Sequence, residues 1–70
     1  MDRHLTWDDT YEIAHLLFRR KTRVDLREVS LGNILEWTQE LPEFSDDVKI
    51  VTDQILMDIF CEWLEEDLKK

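Results

Sequence analysis

The C-terminal third of the sequence carries the clearest periodic pattern in the chain. Its apolar residues recur at intervals of one, three and four positions: Ile55, Leu56, Ile59, Phe60, Trp63 and Leu64. This spacing puts them on one face of an α-helix, so we expect that face to be buried. The helix is predicted to start at Thr52 or Asp53, and the two terminal lysines suit the partial negative charge at its C-terminal end.

Two shorter helices are predicted upstream. The first covers about residues 9–20 with Asp8 as its N-cap, and the second covers about residues 33–41 and ends near Pro42. Between them, Asp25 with an acid three residues later resembles a capping box that opens a short turn. Residues 48–51 are interpreted as a short extended piece or a loop. The apolar faces of the two helices are formed by Ile13, Ala14, Leu16, Leu17 and Phe18 and by Ile34, Trp37, Thr38 and Leu41.

The composition indicates one small domain spanning residues 1–70. Hydrophobic residues make up 43% of the chain, which is enough to fold, and a single glycine and a single proline leave no sign of a linker. No apolar run is long enough to cross a membrane, so we expect a cytoplasmic protein with no membrane partner. Cys61 is the only cysteine, and we interpret it as a small buried apolar residue. The aromatic residues all fit the predicted core faces, which favours a monomer.

The charge is strongly negative and unevenly distributed. Seventeen acids against nine bases give a net charge of −8, yet five of the bases fall within residues 19–27. Asp58, Glu62 and Glu65 are predicted to form a solvated acidic stripe on the outer side of the last helix. A surface of this kind repels phosphate and attracts cations or a basic protein.

Several kinds of chemistry are excluded or disfavoured by the residues. Gly32 is the only glycine, so phosphate-binding and dinucleotide-binding loops are absent. His15 is interpreted as a partly exposed helix residue rather than a catalytic base, and the carboxylates lie on polar faces where they stay ionised, so we expect no enzyme activity. Clusters such as Asp46 with Asp47 provide oxygen ligands for hard cations, although for any one cluster an ordinary solvated helix face is the favoured interpretation.

The order and spacing of four segments resemble a known family. The segments are TWDDTYEIAHLL, ILEWTQELPEF, SDDV and ILMDIFCEWLEE. They resemble the IscX (YfhJ) family, which consists of small acidic accessory proteins of bacterial iron–sulphur cluster assembly. The similarity covers about residues 5–67. It is carried by Trp7, Asp9, Glu12, Ile13, Leu17, Asp25, Val29, Trp37, Leu41, Phe44, Asp46, Asp47, Ile55, Leu56, Ile59, Trp63, Leu64 and Glu66.

The resemblance implies a mainly α fold, a small three-helix domain in a modified winged-helix arrangement, and a non-enzymatic role. It implies weak iron binding through surface carboxylates, no tightly bound organic cofactor, and docking on a cysteine desulfurase, with ferredoxin or frataxin as competitors. The implied iron ligands are Asp9, Glu12, Asp46, Asp47, Asp58, Glu62, Glu65 and Glu66. The implied partner-binding residues are Glu36, Glu40, Glu43, Asp46, Asp47 and Glu62.

Two alternative functions remain open. One is an acidic winged-helix domain that binds a protein partner and has no role with metal. The other is a winged-helix nucleic-acid binder, which the fold would allow and which the basic run 19–27 favours. Glu36 and Glu40 on the helix of Trp37 argue against nucleic acid, because a recognition helix needs cations facing the phosphates.

Overall fold

A computed structural model describes residues 4–69 and shows a mainly α domain within that range. Three α-helices follow one another: α1 Thr10–Arg20, α2 Leu31–Glu40 and α3 Asp53–Leu68. Short 3₁₀ turns lie between them at Leu26–Glu28 and Val48–Ile50. The mainly α prediction is confirmed, and the segment predicted to be extended or a loop contains the second 3₁₀ turn.

The helix starts differ in part from the predicted caps. Asp9, not Asp8, is the N-cap of α1, and its side chain makes no capping hydrogen bond to the helix. Asp25 caps a short turn, Leu26–Glu28, as predicted, but its carboxylate accepts from the backbone N–H and the guanidinium of Arg27, so the predicted capping box with Glu28 is not formed. The chain's capping box lies instead at the start of α2, where the side chains of Ser30 and Asn33 each bind the other residue's backbone N–H.

The cap predicted for the last helix is confirmed. The Thr52 hydroxyl accepts a hydrogen bond from the backbone N–H of Ile55 at 3.2 Å, and Asp53 is the first helical residue. This bond satisfies one of the amides that the first turn of a helix leaves without a partner. The start of α3 is therefore encoded locally, by a threonine placed three residues before the first apolar position.

The core lies between α3 and the other two helices. α3 packs against both α1 and α2, and the indole rings of Trp63 and Trp37 meet edge to face with centroids 6.0 Å apart. Such aromatic pairs stabilise a core beyond the area that they bury. The buried apolar residues are Leu5, Trp7, Ile13, Ala14, Leu17, Leu26, Ile34, Leu41, Leu56, Ile59 and Trp63.

Two residues of α3 lie outside the core in which they were predicted. Leu64 is 37% exposed, and Cys61 is also exposed. Ile59 and Trp63 fix the inward side of the helix, and a residue one position beyond Trp63 is rotated by about 100° away from that side. Cys61 is two positions from both Ile59 and Trp63, so it points to the opposite side of the helix. Both predictions are therefore wrong.

The N-terminal segment is joined to the chain that follows α2. Leu5 and Phe44 form an isolated parallel β-bridge, with the Leu5 N–H donating to the Glu43 carbonyl at 2.8 Å and the Ser45 N–H donating to the Leu5 carbonyl at 2.9 Å. The ring of Trp7 packs edge to face on Phe44, with centroids 4.5 Å apart. Residues 4–69 contain this bridge but no strand, so the winged-helix arrangement is not confirmed.

Replacing a buried residue of α3 should cost more stability than a larger truncation on its outer side. Ile59→Val removes one methylene from a fully buried side chain, and we expect it to lower the free energy of unfolding by about 0.5–1.5 kcal/mol. Met57→Ala removes more atoms, but its side chain is half exposed, so we expect a change within about 0.5 kcal/mol. Urea denaturation followed by tryptophan fluorescence measures both, and a larger loss for Met57→Ala would contradict this assignment of the two faces.

Candidate functional site

The acids of α3 lie on two sides of the helix. Glu62 and Glu66 are half-buried, whereas Asp58 and Glu65 are exposed. The carboxylate of Asp58 accepts a hydrogen bond from the Gln54 side-chain amide one turn earlier at 3.0 Å. The sequence therefore predicted an acidic surface on α3 correctly, but the carboxylates are divided between the α1 side and the outer side.

Tyr11 of α1 lies beside the half-buried acids. Its hydroxyl donates a hydrogen bond to Glu66, and this bond together with the negative charge of Glu66 raises the pKa of the phenol above its ordinary value of 10.0. Partial desolvation and the more distant charge of Glu62 act in the same direction. The packing of α1 on α3 thus brings Glu62, Glu66 and a phenol into one place, which no local sequence pattern could show.

The outer side of α3 is not purely acidic. Met57, Cys61, Leu64 and Leu68 are all exposed there, and we call these four residues the outer stripe. The prediction of a monomer assumed that no apolar patch is exposed, and this assumption is wrong, although the oligomeric state itself stays a prediction. The intervals of four, three and four between these residues are visible in the sequence and would have revealed the stripe.

Asp46 and Asp47 hold the loop before α3 against the N-terminal segment. The Asp46 carboxylate accepts from the backbone N–H of Trp7 at 3.0 Å and from that of Asp47 at 2.7 Å. The indole N–H of Trp7 donates to the Asp47 carbonyl at 2.9 Å, and the Asp47 carboxylate caps the following 3₁₀ turn through the N–H of Lys49. These two acids were predicted as ligand and partner residues, and the structure gives them a structural role that sequence reasoning missed.

The start of α1 borders a shallow cavity of about 310 Å³. The carboxylate of Asp9, a predicted iron ligand, is already hydrogen-bonded: it accepts from the Thr6 N–H at 3.0 Å and from the Thr6 hydroxyl at 3.5 Å. The His15 ring stacks on Tyr11 with centroids 6.5 Å apart, and its Nδ1 is buried with no hydrogen-bond partner. The cavity is lined by Leu5, Tyr11, Glu12, His15, Leu16 and Glu43.

Two of the predicted partner-binding acids are paired with the basic run. Arg20 donates to Glu43 at 3.0 Å, and the Lys21 ammonium lies 3.7 Å from the Glu40 carboxylate. Both pairs are at least partly exposed to water, so each contributes little to stability, but each reduces the negative charge that these acids present to a partner. Glu36 stays exposed on α2.

The predicted iron ligands lie in separate places. Asp46 and Asp47 belong to the loop before α3, Asp9 and Glu12 belong to the start of α1, and the other acids lie on two sides of α3. Within residues 4–69 no three His, Cys, Asp or Glu side chains lie close enough together to hold one metal ion. The arrangement available on α3 is a pair of carboxylates one turn apart, which are neighbours on a helix surface.

Two comparisons with known proteins bear on the family of this chain. A family model described as iron-sulphur cluster assembly matches residues 5–67. An uncharacterized protein of Pseudomonas aeruginosa is 42% identical over 62 residues, which cover 89% of this chain and 94% of that protein. The range matched by the family model contains α1, α2, α3 up to its last residue but one, and every predicted ligand residue.

Neutralising Glu66 should lower the pKa of Tyr11 toward 10. Glu66→Gln keeps a hydrogen-bond acceptor but removes the negative charge that disfavours the phenolate. Because the raised pKa belongs to the folded state, the stabilisation from this contact is complete below the ordinary tyrosine pKa and is lost as the pH rises through the raised value. Ultraviolet absorbance of the phenolate measures the shift directly, since Tyr11 is the only tyrosine. Glu36→Gln is the control and should leave the titration unchanged; equal curves for Glu66→Gln and wild type would show that the contact is absent in solution.

Proposed function

The chain belongs to the iron-sulphur cluster assembly family, and from this membership we propose that it is a non-enzymatic acidic adaptor of that process. In this proposal it docks on a cysteine desulfurase, modulates the transfer of sulphur and binds iron weakly through surface carboxylates. Iron is then a cargo that the protein passes on or senses, not a resident cofactor. The cysteine desulfurase comes from the resemblance to the IscX family described above.

The observation that carries the proposal is the exposed acidic surface of α3. Asp58 and Glu65 project from a helix that is anchored by its buried inner side, so their positions are fixed while their oxygens remain in water. The net charge of −8 adds long-range attraction to a positively charged partner. Together these features support fast, salt-dependent docking on a basic protein surface.

Iron binding is proposed for the acids that face α1. Glu62 and Glu66 are one turn apart and lie beside Tyr11, so two carboxylates and water could share one ion. Hard oxygen donors suit iron in either common oxidation state, but two protein ligands hold an ion weakly and leave it exchangeable. Weak exchangeable binding is consistent with delivery or sensing and inconsistent with a permanent centre.

An adaptor without a role for metal is the second candidate. It is favoured by the lack, among residues 4–69, of three potential ligands close enough to share one ion. A nucleic-acid binder is favoured less, because Arg20 and Lys21 of the basic run are paired with Glu43 and Glu40.

In the described part of the chain, no helix combines the length and apolar content needed to span a bilayer. We propose a cytoplasmic location on the basis of the family.

Docking should depend on salt and on the outer acids of α3. We expect purified cysteine desulfurase to bind the protein at low ionic strength and to bind the double variant Asp58→Asn/Glu65→Gln several-fold more weakly, with the difference shrinking at high salt because exposed charges are screened. Isothermal titration calorimetry measures both affinities. Asp46 is not a suitable target for this test, because its replacement would also loosen the Trp7 segment.

The matched control for docking is Asp8→Asn/Glu28→Gln, which removes the same charge from exposed acids outside α3. An equal loss in this control would show that only the total charge matters and would contradict a defined site on α3. No binding of the wild type at low salt would remove the desulfurase proposal altogether.

Iron should bind at a localised place on the α1 side of α3. We expect amide resonances around Glu62 and Glu66 to broaden selectively when iron(II) is added without oxygen, because the paramagnetic ion acts over a short distance. The variant Glu62→Gln/Glu66→Gln should lose this broadening, and Asp8→Asn/Glu28→Gln should keep it. Small, uniform changes over the whole protein would favour the adaptor without a role for metal.

A further inference from the structure

The outer stripe gives α3 a second apolar side. Leu68 is 77% exposed, Met57 is 50% exposed and Leu64 is 37% exposed, and Cys61 lies exposed between them. The intervals of four, three and four residues align the four side chains along one line of the helix. This line lies on the far side of α3 from the buried Ile59.

A row of this kind differs from scattered exposed apolar residues. Single exposed apolar side chains are normal on a protein surface and indicate nothing, whereas adjoining ones often mark a place where another protein binds. The outer stripe extends over about three turns of helix without an intervening charge on its line. Helix formation and core packing are already satisfied by the opposite side, so the folded domain itself does not need these side chains to be apolar.

One edge of the outer stripe is acidic along its length, and one further acid lies at its N-terminal end. Asp58 and Glu65 lie along this edge, seven residues apart, and Asp53 lies one turn before Met57 at the start of the helix. An apolar line bordered by carboxylates is complementary to an apolar line bordered by lysine or arginine. It also disfavours anionic lipid, because the phosphates of a bilayer would face the same carboxylates.

We propose that the outer stripe is a docking surface for a protein segment whose apolar side chains are flanked by lysine or arginine residues. This inference rests on the proposed function and deepens it, because it places an apolar centre inside the contact with the basic partner. The partner's apolar residues cover Met57, Cys61, Leu64 and Leu68, and its cations meet the bordering acids. The contact then combines apolar burial, which holds the complex, with charge, which orients it.

A second copy of this chain is a poor occupant of the same surface. Two chains carry a net charge of −8 each, so they repel one another at the approach. When two outer stripes meet with their helices antiparallel, Asp58 and Glu65 of one copy face the same acids of the other copy. Like charges across an interface cost binding energy, whereas a basic partner replaces that repulsion by attraction.

The salt dependence of the affinity distinguishes the contribution of the apolar centre from that of the charged edge. Removing exposed charges weakens binding mainly at low ionic strength, because salt screens them in any case. Removing apolar area weakens binding by a similar factor at every salt concentration. The two kinds of substitution on the same helix therefore have different signatures, and this difference distinguishes an apolar docking surface from a purely acidic one.

The first measurement is the affinity of purified cysteine desulfurase for Met57→Gln/Leu68→Gln at low and high salt. Both side chains are at least half exposed, and glutamine is a good helix former, so circular dichroism should show an intact fold. We expect about tenfold weaker binding than wild type at both salt concentrations, which is the range seen when central contacts of an interface are truncated. Asp58→Asn/Glu65→Gln is the comparison and should show its loss mainly at low salt.

The second measurement uses the single thiol as a reporter. Cys61 lies within the outer stripe, so saturation with the desulfurase should slow its alkylation by iodoacetamide at least about tenfold, if the central contacts are excluded from water as in other interfaces. Mass spectrometry of the small chain follows the reaction without interference from the desulfurase thiols. In the control Cys61→Ser/Thr22→Cys, the new thiol lies in the exposed turn after α1 and should stay reactive in the complex.

The outcomes separate this inference from the proposed function. If the wild type binds the desulfurase, but Cys61 stays reactive and the glutamine variant binds equally well, the outer stripe is not the docking surface and only this inference falls. If the wild type does not bind at low salt, the proposed function fails and this inference fails with it. Analytical ultracentrifugation that shows a wild-type dimer, converted to a monomer by Met57→Gln/Leu68→Gln, would overturn the inference in favour of self-association.

Discussion

The burial of the inner side of α3 is the contact on which the rest of the domain depends. Ile59 and Trp63 are almost completely removed from water, and α3 packs against both of the other helices. A chain of 70 residues has little core to spare, so the orientation of this one helix decides which of its side chains remain outside. The acidic surface and the outer stripe are both consequences of that orientation.

The helices follow from local patterns, while the details of the core do not. Threonine at position 52 and the apolar period after it predict α3, and the structure agrees. Leu64 shows the limit of such reasoning, because α3 carries apolar residues on two sides and periodicity alone cannot decide which side faces inward. The capping box at Ser30 was missed because its third position holds asparagine, whereas the familiar pattern has glutamate or glutamine there.

The sequence predicted which residue types form the candidate site, but it did not predict how those residues are arranged in space. Charge composition and helical spacing were enough to expect carboxylates on the surface of α3. The contact of Tyr11 with Glu66, and the use of Asp46 to hold the backbone of Trp7, join residues far apart in sequence. Only tertiary structure shows which acids are occupied by the fold and which remain available to a partner.

The contacts of the N-terminal segment have a consequence for the order of folding. The hydrogen bond from Trp7 to Asp46 closes a loop across 39 positions, and closing a long loop costs entropy that forming a helix does not. We expect the N-terminal segment to dock on the Asp46 loop after the helices have packed, and to detach before the helices unfold, as a sub-global unfolding step. Release of this segment would expose the indole of Trp7 and the side chain of Leu5. One edge of the core is therefore covered only through contacts between residues that are far apart in sequence.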